Sequence, residues 1–261
     1  MNPKLLATLN VFVLAGVIIV NTLAIVLPIN GMSTGELSAL YPNLFTPAGF
    51  TFSIWSVIYL LLIGFVITQW TLLSKSYFIE LSLWFALSSL ANVSWILCWH
   101  YLFMYASVLV MLILLFSLVK IFLLIQSSEL TSLPEKLFVK LTFTFYFSWI
   151  CVATIANISA LLVSLSWEGG ILSPVIWTLT MITIASVLGI FISRRFSSPS
   201  FLLVLIWALY GIHSRWRGSE NTAIAETALI ELIVLAILFS VFLLVQKMPK
   251  RFAFNKRKLF P

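Results

Sequence analysis

The sequence predicts an all-α integral membrane protein that crosses the bilayer about eight times, and three observations carry that prediction. Hydrophobic residues make up 62% of the 261 and charged residues only 9%, where a soluble domain carries roughly 25% charged residues. Apolar runs recur at about 8–28, 47–70, 79–99, 102–125, 137–165, 171–193, 200–213 and 222–246, and a helix of about 20 apolar residues spans the hydrocarbon layer. The third observation is the placement of charge. With the N-terminus in the cytoplasm, 13 of the 15 Lys and Arg fall in cytoplasmic segments, and only Arg215 and Arg217 lie outside. Cytoplasmic enrichment of this kind sets membrane orientation. The run at 200–213 is short, but without it the basic tail would lie outside. The charges therefore favour eight spans with both termini cytoplasmic, in the cell or inner membrane.

The net charge of +7 calls for no nucleic acid, because the tail at 247–261 suits anionic lipid headgroups. The first run lacks a small-residue cleavage site and reads as a retained helix. Cys98 and Cys151 lie in separate apolar runs, with neither disulfide nor metal spacing.

The elements follow in order. The first helix carries Asn10 and Asn21, whose amides need partners in hydrocarbon and should face the bundle. The segment 28–46, with Pro28, Gly31, Ser33 and Gly35, is long for a connection and reads as a lid or as an external loop. The second helix opens at Pro47, where an N-terminal proline is tolerated. Pro47, Thr51, Trp55 and Tyr59 fall every four residues, on one face. The third helix places Asn92, Trp95 and Trp99 on one face, and Trp84, Trp99 and His100 also suit an interfacial aromatic belt. The fourth helix is plain, its Lys120 explained by snorkelling. The connection 127–135, with Glu129 and Glu135, reads as a solvated turn. The fifth helix repeats the striped pattern with Trp149, Ala153 and Asn157.

The last three helices differ. The sixth follows Gly169, Gly170 and Pro174 and ends at Arg194 and Arg195. The seventh ends in His213, Ser214, Arg215, Trp216 and Arg217. The eighth carries Glu226 and, deeper, Glu231. Intramembrane carboxylates tend to be functional or paired, and an Arg215–Glu226 pair is the structural alternative.

Taken together, the three stripes resemble the TspO/MBR (translocator protein/tryptophan-rich sensory protein) family. Its second helix reads roughly P-x7-W-x3-Y, matched by Pro47, Trp55 and Tyr59. Its third reads N-x2-W followed by aromatics, matched by Asn92 and Trp95, with Trp99 and His100 where two phenylalanines are usual. Its fifth reads W-x3-A-x3-N, matched by Trp149, Ala153 and Asn157. The paired prolines and tryptophan before the second helix, and the tryptophan-arginine after the fifth-helix asparagine, are replaced here. The resemblance covers residues 1–165 and implies a TspO-like five-helix transmembrane bundle. Residues 166–246 would be about three additional C-terminal helices.

The resemblance also implies a pocket for porphyrins or other planar hydrophobic molecules between the helices, closed by the loop after the first helix, and a homodimer. Pro47, Trp55, Tyr59, Asn92, Trp95, Trp149, Ala153 and Asn157 would line it. From the residues alone, three aromatic-polar faces must converge within the bundle, and aromatic walls with a few amides suit a flat, conjugated ligand. The partners expected are the lipid bilayer and a hydrophobic small molecule, with a porphyrin- or haem-like ligand but no obligatory cofactor. The competing reading is a proton-coupled secondary transporter whose ion path uses His213, Arg215 and Glu231. No HExxH, CxxC or Ser-His-Asp arrangement argues for an enzyme.

Overall fold

A chain so rich in Leu, Ile and Val offers its backbone no water inside a bilayer, so every amide must bond within its own segment. The computed structural model describes residues 2–27, 29–32, 34–167 and 169–247, all of whose regular structure is helical. Pro28, Ser33, Glu168 and the basic tail from 248 onward lie outside the described residues.

The helices are α1 (Pro3–Val26), α2 (Thr34–Leu40), α3 (Ile54–Thr68), α4 (Phe78–His100), α5 (Met104–Ser127), α6 (Leu133–Ser164), α7 (Pro174–Arg195), α8 (Ser200–Trp216) and α9 (Thr222–Lys247). Seven helices among the described residues are long and apolar enough to span a membrane, counting α3 with its flanking turns as Gly49–Thr71. The remaining long helix, α8, has 17 residues. At 1.5 Å per residue it reaches about 26 Å, short of the ~30 Å hydrocarbon layer.

Five helices close a ring. Helix α1 packs on α4, α4 on α5, α5 on α6, α6 on α3, and α3 on α1. Asn10 and Asn21 are buried, as their polarity required. Asn10 donates to Gln69 Oε1 at 2.8 Å, and Gln69 Nε2 donates to the Ala7 carbonyl at 3.1 Å, joining α1 to the end of α3. Helices α7, α8 and α9 form a second layer, in which α8 packs on α6, α7 and α9.

Three local features depart from the sequence reading. The second striped helix does not begin at Pro47: residues Gly49–Ser53 are a 3-10 helix, and the α-helix starts at Ile54. The segment 28–46 contains the short helix α2, whose Leu37 is fully buried with Trp99, Met104 and Ala160. The turn before α6 is not solvated at Glu135, which is 2% exposed. Ser132 and Glu135 form a reciprocal capping box. The Glu135 carboxylate also accepts from Lys75 Nζ at 3.0 Å and Tyr77 Oη at 3.2 Å. A capping glutamate buried under the preceding loop needs these donors, because an unpaired buried charge is costly.

Helix α6 carries a π-helical stretch at Lys136–Leu141, between a first turn at Leu133–Glu135 and the α-helix Thr142–Ser164.

Candidate functional site

The aromatic faces of α3 and α6 meet inside the ring. Trp55 stacks on Tyr59, with centroids 5.4 Å apart and planes at 22°. Its edges meet Tyr146 at 5.8 Å and Trp149 at 6.3 Å, at 72° and 86°. Phe52 stands edge-on to Trp149 at 6.0 Å. These are the offset and T-shaped arrangements that aromatic quadrupoles favour. Trp149 is 2% exposed. Neither its Nε1 nor the Tyr59 hydroxyl has a hydrogen-bond partner among the described residues. Orphaned buried donors are uncommon in folded proteins, and each calls for an explanation.

The amides predicted to orient a ligand are spent on the protein itself. Asn92 Oδ1 accepts from Asn21 Nδ2 at 2.8 Å, and Asn92 Nδ2 donates to Tyr146 Oη at 3.1 Å, so α1, α4 and α6 share one chain of bonds. Asn157 Oδ1 accepts from Trp95 Nε1, and its Nδ2 donates to Ser107 Oγ, both at 3.1 Å, linking α4, α6 and α5. Each asparagine thus has both ends of its side chain bonded.

Trp95 stacks on Trp99 at 6.2 Å and 23°, and Tyr41 leans on Trp99 at 6.3 Å. This second cluster is capped by α2 through Leu37. His100 ties the capping segment down: Asn30 Nδ2 donates to the His100 carbonyl at 3.0 Å, and His100 Nδ1 lies 3.2 Å from the Ile29 carbonyl. A carbonyl only accepts, so Nδ1 carries the hydrogen in that bond.

Pro47 turns away from Trp55 and Tyr59. Four residues advance an α-helix by about 40° around its axis but a 3-10 helix by about 120°, so the stripe divides at Gly49–Ser53. Pro47 and Thr51 pack instead on Gly211 of α8, where a Cβ would collide with both side chains. Ala153 is half-buried and packs against the main core.

The three residues of the expected ion path are not joined. His213 Nδ1 bonds the Ala225 carbonyl at 2.9 Å, and Arg215 Nη1 donates to the Thr46 carbonyl at 2.9 Å. The Arg215–Glu226 ion pair does not form: Lys75–Glu135 is the ion pair found among the described residues, and Glu226 is exposed. Glu231 is half-buried, with neither His213 nor Arg215 as a partner.

Sequence reasoning missed Tyr146, Ser107 and above all Trp207 and Trp216. Trp207 Nε1 donates to the Thr51 carbonyl and Trp216 Nε1 to the Leu44 carbonyl, each at 2.9 Å, and Ala48 N donates to the Gly211 carbonyl at 3.1 Å. Trp207, Gly211 and Arg215 fall every four residues, the same signal that marked the other stripes.

A cavity of about 10 Å³ lies under Phe45 between α6, α7 and α8, lined in part by Val152, Ser186 and Leu205. A cleft of about 570 Å³ opens at the Lys75 end, beside Glu80 and Glu129. None of the stripe residues lines either space. In the aromatic cluster the rings pack on one another. No group of three or more His, Cys, Asp or Glu placed to hold a metal ion occurs among the described residues.

The family model described as TSPO-like protein matches residues 7–242, a span that includes α7 and α8 and most of α9. No curated protein and no solved structure matches the chain.

Proposed function

Because the chain belongs to the TSPO-like protein family, we propose that this multi-pass membrane protein binds a planar hydrophobic ligand of the porphyrin or tetrapyrrole kind, as a sensor or carrier. The ligand lies between α3 and α6, against Trp55, Tyr59 and Trp149. The observation that carries this reading is the pair of buried polar groups unpartnered among the described residues, Trp149 Nε1 and Tyr59 Oη, on two rings that both pack on Trp55. A ligand with aromatic faces and a hydrogen-bond acceptor supplies what both lack. Asn92, Trp95, Ala153 and Asn157 hold the surrounding walls, and Pro47 acts from the α8 side. The protein sits in the cell membrane with both termini cytoplasmic, and homodimers are consistent with the family resemblance.

Titration of the purified full-length chain with protoporphyrin IX, read by tryptophan quenching, tests this. Saturable quenching that is lost in a Trp149 variant supports it, and non-saturable quenching rejects the porphyrin.

One observation favours proton-coupled transport instead. Glu231 lies about 14 Å along α9 from Thr222 at the usual rise, half-buried and with no ion pair among the described residues. Such a carboxylate is costly within a membrane and tends to be kept where it is paired or has a task. Proton-driven uptake into vesicles that Glu231→Gln abolishes would put this reading first.

A further inference from the structure

Helix α8 has no place in the striped motifs, yet it touches both walls of the aromatic site. At its start, Ser148 Oγ donates to the Phe201 carbonyl at 2.9 Å, and Ser148 is the neighbour of Trp149 on α6. Two turns on, Trp207 Nε1 donates to the Thr51 carbonyl at 2.9 Å, one turn ahead of Trp55. Phe201 and Trp207 are separated by about 9 Å of helix at the usual rise. Beyond them the Gly211 carbonyl receives Ala48 N, Arg215 holds the Thr46 carbonyl, and Trp216 holds the Leu44 carbonyl.

Four bonds therefore fasten α8 to residues 44–51. That stretch has few bonds of its own. Thr46 bonds Asn43, Thr51 N bonds the Ala48 carbonyl, and Ala48 caps the 3-10 helix without a side-chain hydrogen bond. Gly211 completes the seat, because any side chain there would push Pro47 and Thr51 off the helix. His213 bonds the Ala225 carbonyl at 2.9 Å and fixes α8 in turn to α9.

We propose that α8 is a brace that sets the position of Trp55 against Trp149, making Trp207 and Arg215 positioning residues of the ligand site. They act through backbone carbonyls rather than by contact with the ligand. The inference rests on the proposed site for its functional meaning, while its geometric content can be measured without any ligand. On this view the second layer of helices is part of the binding apparatus.

The test uses the full chain labelled with 5-fluorotryptophan in detergent micelles, each 19F resonance assigned by single substitution. Trp207→Phe and Arg215→Met remove the donors and keep most of the volume. Arg215→Lys keeps a cation, and Ser148→Ala releases the other end of the brace should Trp207→Phe fail to fold. The Trp55 and Trp149 resonances should shift in the donor-removing variants and return toward the parent in Arg215→Lys. Trp84, which packs on Phe116 at 5.7 Å between α4 and α5, should not move. Amide exchange over residues 44–60 should quicken about tenfold when Arg215→Met removes the bond to the charged guanidinium. Unmoved Trp55 and Trp149 resonances in both donor-removing variants overturn the brace, as does a Trp84 shift of equal size, which would mean general loosening. If the parent binds no protoporphyrin IX while the resonances still shift, the porphyrin reading falls and the brace stands.

Discussion

Asn92 on α4 donates a hydrogen bond across the bundle to the hydroxyl of Tyr146 on α6, 3.1 Å away, while its oxygen accepts from Asn21 on α1. Interhelical hydrogen bonds in membranes average only about 0.6 kcal/mol. Leaving one of the groups unpaired costs more, roughly 1–3 kcal/mol. Tyr146→Phe strands the Asn92 amide and should destabilise the protein by about that amount. Thermal unfolding in micelles measures it, and an unchanged midpoint would show that Asn92 readily finds another partner.

Trp149→Phe preserves most of the ring volume but removes the unpartnered indole N–H. An acceptor-bearing planar ligand such as protoporphyrin IX should bind about tenfold more weakly, the worth of one hydrogen bond at a buried site. Ala153→Leu should weaken binding as well, by adding bulk between Trp149 and Asn157 where Ala153 packs on the core. Quenching titrations of both variants, with circular dichroism as the control for folding, separate lost affinity from lost structure.

Much of this site could be read from four-residue spacing alone. Trp55, Tyr59, Trp149 and Asn157 show it, Asn92 and Trp95 stand three apart, and the structure sorts them into two groups: Trp55, Tyr59 and Trp149 with Asn92 through Tyr146, and Trp95 with Asn157. Pro47 shared the spacing but not the face, because the sequence does not announce that Gly49–Ser53 winds as a 3-10 helix. The Trp207, Gly211 and Arg215 spacing was equally visible. It lay in a run whose short length drew attention to whether it crossed the membrane rather than to what it held. Glu135 looked like a loop residue because a capping box reads the same whether exposed or buried. Burial here comes from Lys75 and Tyr77, distant in sequence.

Glu135→Leu removes the acceptor for Lys75, Tyr77 and the Thr131 and Ser132 amides at once. It should be the more damaging change at this end, on the order of 3 kcal/mol. Lys75→Met should cost less, because Lys75 is 37% exposed and its pairing is screened by solvent. Burial first, then the Glu135 carboxylate, raise the Tyr77 phenol well above its ordinary value. Its neutral form is thus favoured in the folded protein. The stability it lends is fully present below the unfolded phenol's pKa of about 10 and declines as pH rises through the folded value. Chemical denaturation of the two variants, and of the parent in alkali, checks both signs.

Gly211→Val places a branched side chain where Pro47 and Thr51 now sit. Overpacking of this kind costs about 1–3 kcal/mol, and the loss should fall on residues 44–53 before the rest of the bundle. Proteolysis of the intact variant in micelles should cut there first. Uniform protection would show that the second layer shifts to accommodate the new side chain.

A reporter fused after Gln246 should be active only as a cytoplasmic reporter, because 13 of the 15 basic residues share that side when the N-terminus is inside and the short α8 crosses together with the seven longer helices. An external signal would invert the charge argument.

The π-helical stretch at Lys136–Leu141 has a consequence for how the chain can change. A π-turn holds one residue more than the α-turn it replaces, so α6 contains a spare place in its thread. Removing one residue there would leave an unbroken α-helix. The π-turn takes up that residue, so Glu135 would keep its orientation relative to Trp149, one end gripping Lys75 and Tyr77 and the other beside Trp55. Wound as uninterrupted α-helix, the same residues would instead put the two ends about 100° out of their present phase, since each α-helical residue turns by that angle. The surplus residue acts as a phase shifter that lets this one sequence serve both ends.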